Sequence, residues 1–200
     1  PRVPSLFLLL PLLTGLCLFS WAGPVDSKRL IEAAKEPSNW LIYSGTYDAW
    51  RYSSLEQINR QNVKELKPVW IFQTGKVDGG FSCTPLVEDG VMFITSPWNR
   101  VFALDAVTGK ELWHYYYPVP KDFGLLYGPW NRGVALGHGL VFMGTLDNHL
   151  VALDAKTGKE VWNVNIESHQ LFRCTSHGGH NCANRFTFSY TLNDLLITIF

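Results

Sequence analysis

Short apolar runs broken by turn residues dominate the middle of the chain. Val91-Met-Phe-Ile-Thr95 and Arg100–Leu104 form one pair of such runs, and Leu140-Val-Phe-Met-Gly144 and His149–Leu153 form another. Runs this short, rich in β-branched and aromatic side chains and bounded by Gly, Asp and Asn, predict strands. The two pairs are copies of each other. From Asp89–Trp113 onto His138–Trp162, 12 of 25 positions are identical without a gap, at a spacing of 49 residues. The likeness peaks in Ala103-Leu-Asp-Ala-Val-Thr-Gly-Lys-Glu-Leu-Trp113 and Ala152-Leu-Asp-Ala-Lys-Thr-Gly-Lys-Glu-Val-Trp162. A self-similar unit of this length marks stacked modules.

Each unit carries its own turn chemistry. Asp105 or Asp154 is placed to accept hydrogen bonds from nearby backbone amides, and Gly109 or Gly158 to take the positive φ of a tight hairpin. Trp113 or Trp162 then closes the outermost strand and offers a broad face to a neighbouring sheet. Repeated four-stranded units predict an all-β chain built as a β-propeller. Blade one is expected over about Ser82–Tyr117 and blade two over about Gly133–Ile166, joined by a Pro-, Gly- and aromatic-rich linker, Pro118–Trp130. A duplicated hairpin in another all-β fold shares the same repeat.

Outside the repeat the pattern changes. Asp26–Glu36 reads as helical, with Asp26 or Ser27 as cap, an apolar side of Leu30, Ile31, Ala33 and Ala34, and Pro37 as stop. Trp40–Asn59 is aromatic and turn-rich, and Gln61–Leu66 predicts a short helical turn. Val69-Trp-Ile-Phe-Gln-Thr-Gly75 resembles the Trp-bearing last strand of a blade whose other strands do not precede it. Residues 23–66 are thus a lead-in segment, and 67–166 the partial propeller.

The first residues are different again. Ser5–Ala22 is an apolar run ending in small residues at Ser20 and Ala22, with Arg2 as its positive flank. It reads as a secretory signal peptide over residues 1–22, which implies export to the periplasm or beyond. Its near-spanning length leaves an uncleaved membrane anchor as the alternative. Cys17 lacks the small preceding residue of a lipoprotein site.

Bulk composition narrows the partners. Formal net charge is zero and charged residues make up 17%, so no basic surface argues for nucleic acid and no acidic tail for a cationic partner. The 8 Trp, 8 Tyr and 12 Phe suit an aromatic-rich β-protein without identifying a ligand.

Several segments together resemble a known family. They are Trp40…Tyr43-Ser-Gly…Arg51-Tyr-Ser-Ser-Leu-Glu-Gln-Ile-Asn59, Leu66-Lys-Pro-Val-Trp70, Thr84-Pro-Leu-Val87, Asn99-Arg-Val-Phe-Ala-Leu-Asp105, Asn131-Arg-Gly133 and Gly144-Thr-Leu-Asp147. Over Trp40–Ile166 the chain resembles the N-terminal part of quinoprotein alcohol dehydrogenases of the methanol and ethanol type. The resemblance implies an eight-bladed, exported propeller that binds pyrroloquinoline quinone and calcium near its axis. It implies oxidation of a small primary alcohol by hydride transfer to a quinone carbonyl polarised by calcium, with an aspartate as general base. Electrons would pass to a periplasmic acceptor such as cytochrome c.

Arg132 matches the family arginine that reaches a cofactor oxygen; the plainer role is a linker arginine bonded to backbone carbonyls. Where many members have a cofactor-binding glutamate this chain has Ser82. Where they have adjacent cysteines over the quinone it has Leu126-Tyr127, and Tyr127 would offer a flat stacking face instead. The family's calcium ligands and catalytic aspartate lie beyond this sequence, so no catalytic or metal residue is assigned. Two blades cannot close a ring, and the chain alone is expected to be inactive. A non-enzymatic scaffold propeller of the outer-membrane assembly type is the alternative, and a degenerate, inactive gene product a third.

Residues 167–200 depart from the blade pattern. Cys174-Thr-Ser-His-Gly-Gly-His-Asn-Cys182 gathers two thiols and two imidazoles, ligands that zinc favours, and a Cys174–Cys182 disulfide suits an oxidising compartment. A third reading is that this tail is not native sequence, from a frame error or a misjoined segment. Cys83 reads as a small core residue, Tyr115-Tyr-Tyr117 as outer-strand packing, and Asp147-Asn-His149 as a strand connection rather than a catalytic His–Asp pair.

Overall fold

The computed structural model describes residues 23–75, 80–119 and 128–166, and the backbone of two strands, 188–192 and 195–199. Residues 1–22, Leu126-Tyr127 and the Cys174–Cys182 cluster lie outside the described residues. The chain forms two four-stranded antiparallel sheets of identical order. The first holds β1 (Leu86–Glu88), β2 (Val91–Ser96), β3 (Arg100–Asp105) and β4 (Glu111–Tyr116). The second holds β5 (Ala135–Gly137), β6 (Leu140–Gly144), β7 (His149–Asp154) and β8 (Glu160–Asn165). These are the two blades of a β-propeller, on the stretches where the repeat predicts them. A separate antiparallel hairpin pairs β9 (Phe188–Leu192) with β10 (Leu195–Ile199).

The repeat extends to irregular detail. In each blade the third-to-fourth strand pairing shifts register at the same point, Ala103/Leu104 in one and Ala152/Leu153 in the other. Gly109 and Gly158 take φ of 69° and 68°. Asp105 Oδ1 accepts from the amides of Val107 and Thr108, at 3.1 and 2.7 Å, and Asp154 Oδ1 repeats this at Lys156 and Thr157, at 3.2 and 2.8 Å. The hydroxyls of Thr108 and Thr157 add a bond each, holding both carboxyl groups below the usual range. The turn is built by the Asp and the Thr; the Gly lets it close.

Blades are joined by their tryptophans. The Trp113 ring lies flat on the Gly158 turn of the next blade, and its Nε1–H donates to the Ala155 carbonyl at 3.0 Å. A β-carbon on Gly158 would sit 2.5 Å from that ring. Trp70 repeats the arrangement one step earlier, over Gly109 and donating to the Ala106 carbonyl at 3.2 Å. The segment 67–75 therefore occupies the place of a preceding blade's outer strand, with Phe72 edge-on to Phe102. Among the described residues it pairs with no strand, and Val69 and Ile71 are exposed.

Apolar burial follows this geometry. β3 and β7 are central strands, and four consecutive residues of each are buried, Val101–Leu104 and Leu150–Leu153. Phe93 packs on Trp113 and Phe142 on Trp162 at matching ring separations of 5.9 and 5.8 Å. Trp113 is 9% exposed because blade two covers it, whereas β8 is exposed along most of its length.

The lead-in ties both blades together. α1 (Ser27–Ile31) is capped by Asp26, whose Oδ1 accepts from the Arg29 amide at 2.7 Å, and a 3-10 turn follows over Ala33–Lys35. Val25 and Leu30 enter the core, and the Val25 carbonyl accepts from the His138 amide at the β5–β6 turn, 2.7 Å. Arg29 is 8% exposed and serves the β1–β2 turn. It reaches Glu36 at 2.9 Å, Asp89 at 2.5 Å, Glu88 at 3.5 Å and the Gly23 carbonyl at 2.8 Å. Among the described residues no helix is long and apolar enough to cross a membrane.

Candidate functional site

The approaches to the inner strands of the two blades meet. The Thr84 amide donates to the Arg132 carbonyl at 3.1 Å, which sets Ser82-Cys-Thr84 beside Asn131-Arg-Gly133. Ser82 and Arg132 are both exposed, at the end of β1 and β5 away from the turns that Arg29 and Val25 hold. Two positions fifty residues apart in sequence are thus brought to one rim. Among the described residues nothing accepts a hydrogen bond from the Arg132 guanidinium.

The peptide around Arg132 is fixed from both sides. Gly133 has φ of 125°, and a β-carbon there would lie 3.0 Å from the Thr84 carbonyl oxygen. Asn131 is buried; its Oδ1 accepts from the Gly133 amide at 3.0 Å and its Nδ2 donates to the Gly144 carbonyl at 3.0 Å. Beneath the rim, Cys83 Sγ accepts from the Thr95 amide at 3.1 Å, and burial pushes its thiol up, away from thiolate chemistry. Cys83 is half-buried rather than fully in the core.

Beside Thr84 lies an open groove of about 520 Å³ lined by Trp40, Tyr43, Arg51, Thr84, Pro85 and Val87. Trp40 makes a two-bond bridge to Val87 on the free edge of β1, and the Arg51 guanidinium sits 5.2 Å over the Tyr43 ring.

The remaining expected features sort as follows. Asp147 accepts from Tyr117 Oη at 2.9 Å and Thr145 Oγ1 at 2.5 Å, closing the β6–β7 connection. The His149 ring nitrogens meet Asn163 Oδ1 at 2.6 Å and Asn165 Nδ2 at 3.0 Å. Tyr117 lies beyond β4 and is buried between the blades, a correction to its reading as outer-strand packing. Burial, then the bond to Asp147, pushes its hydroxyl up to about 12. Among the described residues no group of three or more His, Cys, Asp or Glu could hold a metal ion.

Asn99 and Thr84 went unassigned in the sequence, although both stand inside segments quoted for the family likeness. Neither residue type signals a site by itself. Their roles follow from Asn99 being fully buried against Asn131, and from the Thr84 amide crossing to the next blade.

Comparison with known proteins agrees with the fold. The family model for the glucose/ethanol/alcohol dehydrogenase β-propeller domain that carries the PQQ label matches residues 40–163. The quinoprotein alcohol dehydrogenase PedH of Pseudomonas putida is 41% identical over 142 residues, 70% of this chain and 24% of that protein. Among solved structures, the quinohemoprotein alcohol dehydrogenase ADHIIG of Pseudomonas putida HK5 superposes with a TM-score of 0.67 at 42% identity, over 72% of this chain and 21% of that one. The Comamonas testosteroni quinohemoprotein alcohol dehydrogenase gives a TM-score of 0.66 at 40% identity, over 70% and 21%. The chain spans about a quarter or less of the length of these relatives. A match across the two blades and most of the lead-in decides the assignment: the chain belongs to the quinoprotein alcohol dehydrogenase family of β-propellers.

Proposed function

We propose that this chain supplies the Arg132 side of a pyrroloquinoline quinone site in an exported alcohol dehydrogenase, and that the oxidation of a small primary alcohol needs further blades. The observation that carries the reading is the convergence of Ser82–Thr84 and Asn131–Gly133 on one rim, with an exposed guanidinium on a fixed peptide. A planar five-donor cation suits a carboxylate-bearing quinone. When bound, pyrroloquinoline quinone supplies two-electron acceptor chemistry, with calcium as the Lewis acid in the family scheme.

This chain's own part is binding and orientation. Arg132 would bond an anionic edge of the cofactor, while Ser82 offers only a neutral hydroxyl where family members place a carboxylate. The described residues offer no ligand set for calcium, so none of them is assigned to it. Periplasmic location, through residues 1–22, and electron delivery to a cytochrome c-type acceptor belong to the same proposal. One relative, the methanol dehydrogenase subunit 1 of Paracoccus denitrificans, carries cytochrome c in its name.

Equilibrium dialysis of the chain against pyrroloquinoline quinone tests the reading. Arg132→Ala is expected to weaken binding about tenfold to a hundredfold, as loss of a charge-assisted hydrogen bond does, and Arg132→Lys to recover part of it. Equal affinity in all three proteins would sink the assignment. Alcohol-dependent dye reduction by the purified chain with quinone and calcium is expected to be nil, and turnover would overturn the need for further blades.

A further inference from the structure

We infer that Asn131, held in turn by Asn99, is a positioning residue that sets where the Arg132 guanidinium points; the inference rests on the quinone reading above. Arg132 is exposed, yet both residues flanking it are buried. Asn131 is 8% exposed and uses its carboxamide on two separate elements, accepting from the Gly133 amide and donating to the Gly144 carbonyl on β6. Its own carbonyl accepts from Thr95 Oγ1 on β2 at 3.3 Å. The Arg132 carbonyl is taken by the Thr84 amide. Four bonds from three directions thus fix the peptide planes on both sides of Arg132, and the side chain torsions are its remaining freedom. Ordering a backbone in advance reduces what a bound anion must order later.

Asn99 completes the device. It is fully buried, has φ of 53°, and its Oδ1 faces Asn131 Nδ2 at 3.4 Å. Among the described residues its Nδ2 has no partner. Exchanging the Asn99 oxygen and nitrogen would set two amide donors against each other, so the carboxamide orientation follows from Asn131. A buried amide left short of an acceptor is costly, and such a group calls for an explanation. Its acceptor is turned toward Asn131, the chain neighbour of Arg132. No other bond in this cluster depends on the Asn99 side chain.

The test uses the 200-residue chain, pyrroloquinoline quinone and two readouts. Asn131→Ala is expected to weaken quinone binding about tenfold and to speed amide exchange at Gly133 about tenfold, with the sheets still folded by circular dichroism. The binding loss should vanish in the Arg132→Ala background, because there is no guanidinium left to aim. Asn131→Asp keeps the acceptor for the Gly133 amide and should recover part of the affinity. If Asn131→Ala fails to fold, Asn99→Ala leaves the Gly133 bond in place and should weaken binding about threefold, an effect also absent without Arg132. A loss of equal size with and without Arg132, or unchanged affinity beside an Arg132→Ala loss, overturns the inference. Unchanged affinity in Arg132→Ala itself brings down the quinone reading and this inference with it.

Discussion

Trp113→Ala is expected to cost the two-blade unit about 3–5 kcal/mol, the usual range for emptying a buried tryptophan site. The indole is 9% exposed, packs on Phe93, lies on the Gly158 turn and donates to the Ala155 carbonyl. Its removal opens a void between the blades and leaves a carbonyl unpaired. Gly158→Ala attacks the same joint from the other side. A φ of 68° costs a non-glycine residue about 1–2 kcal/mol, before the new methyl group meets a ring that leaves it 2.5 Å. The pair makes a diagnostic cycle, read by urea denaturation. In the Trp113→Ala background only the backbone strain should remain, so Gly158→Ala should cost less there. Equal costs in both backgrounds would show that the ring and the turn do not depend on each other.

Arg29→Met is the second large effect, expected at about 3–5 kcal/mol, since it strands a cluster of carboxylates around a buried site. Glu36, Asp89 and Glu88 all reach the guanidinium, so its loss leaves three acids facing one another. The pH dependence carries the signature. The hydrogen bond from Arg29 holds Glu36 below its ordinary value, so in the wild type this contribution is present above the unfolded carboxylate range and lost as pH falls through the folded value. Burial shifts Glu88 upward, so its contribution has the opposite sign and falls away as pH rises from the unfolded to the folded value. Without Arg29 the Glu36 depression disappears and acid relieves the repulsion. The gap between wild type and variant should therefore be widest near neutrality and narrow on acidification. A gap independent of pH would mean that the residue acts through its aliphatic stem alone.

The blades were legible because each strand is short, bounded and repeated. Two eleven-residue stretches alike at nine positions encode the Asp105 turn and the Asp154 turn, and local hydrogen bonding within that turn explains both. The tryptophan's partner was less legible. Sequence shows that Trp113 needs a neighbouring face, but the pairing with Gly158 is a contact between residues 45 apart, fixed by how one sheet sits on the next. Arg29 was hidden for a different reason. A helix of five residues has no face long enough to mark a buried cation, and its acids come from Glu36 and from the β1–β2 turn. At the candidate site Arg132 was legible only by family likeness. The bond from Thr84 is between main-chain groups, which no residue type announces, and the buried Asn99–Asn131 pair joins side chains 32 residues apart.

The tryptophan joints run in one direction along the chain. Trp70 covers the turn at Gly109, and Trp113 covers the turn at Gly158; each ring belongs to the earlier strand and each glycine to the later one. A polypeptide growing from its N-terminus always has the covering ring ready before the turn it covers is made. Each new blade can therefore close against a ring that the preceding segment already presents. Assembly of such a ring is vectorial by construction, keyed to the order of synthesis.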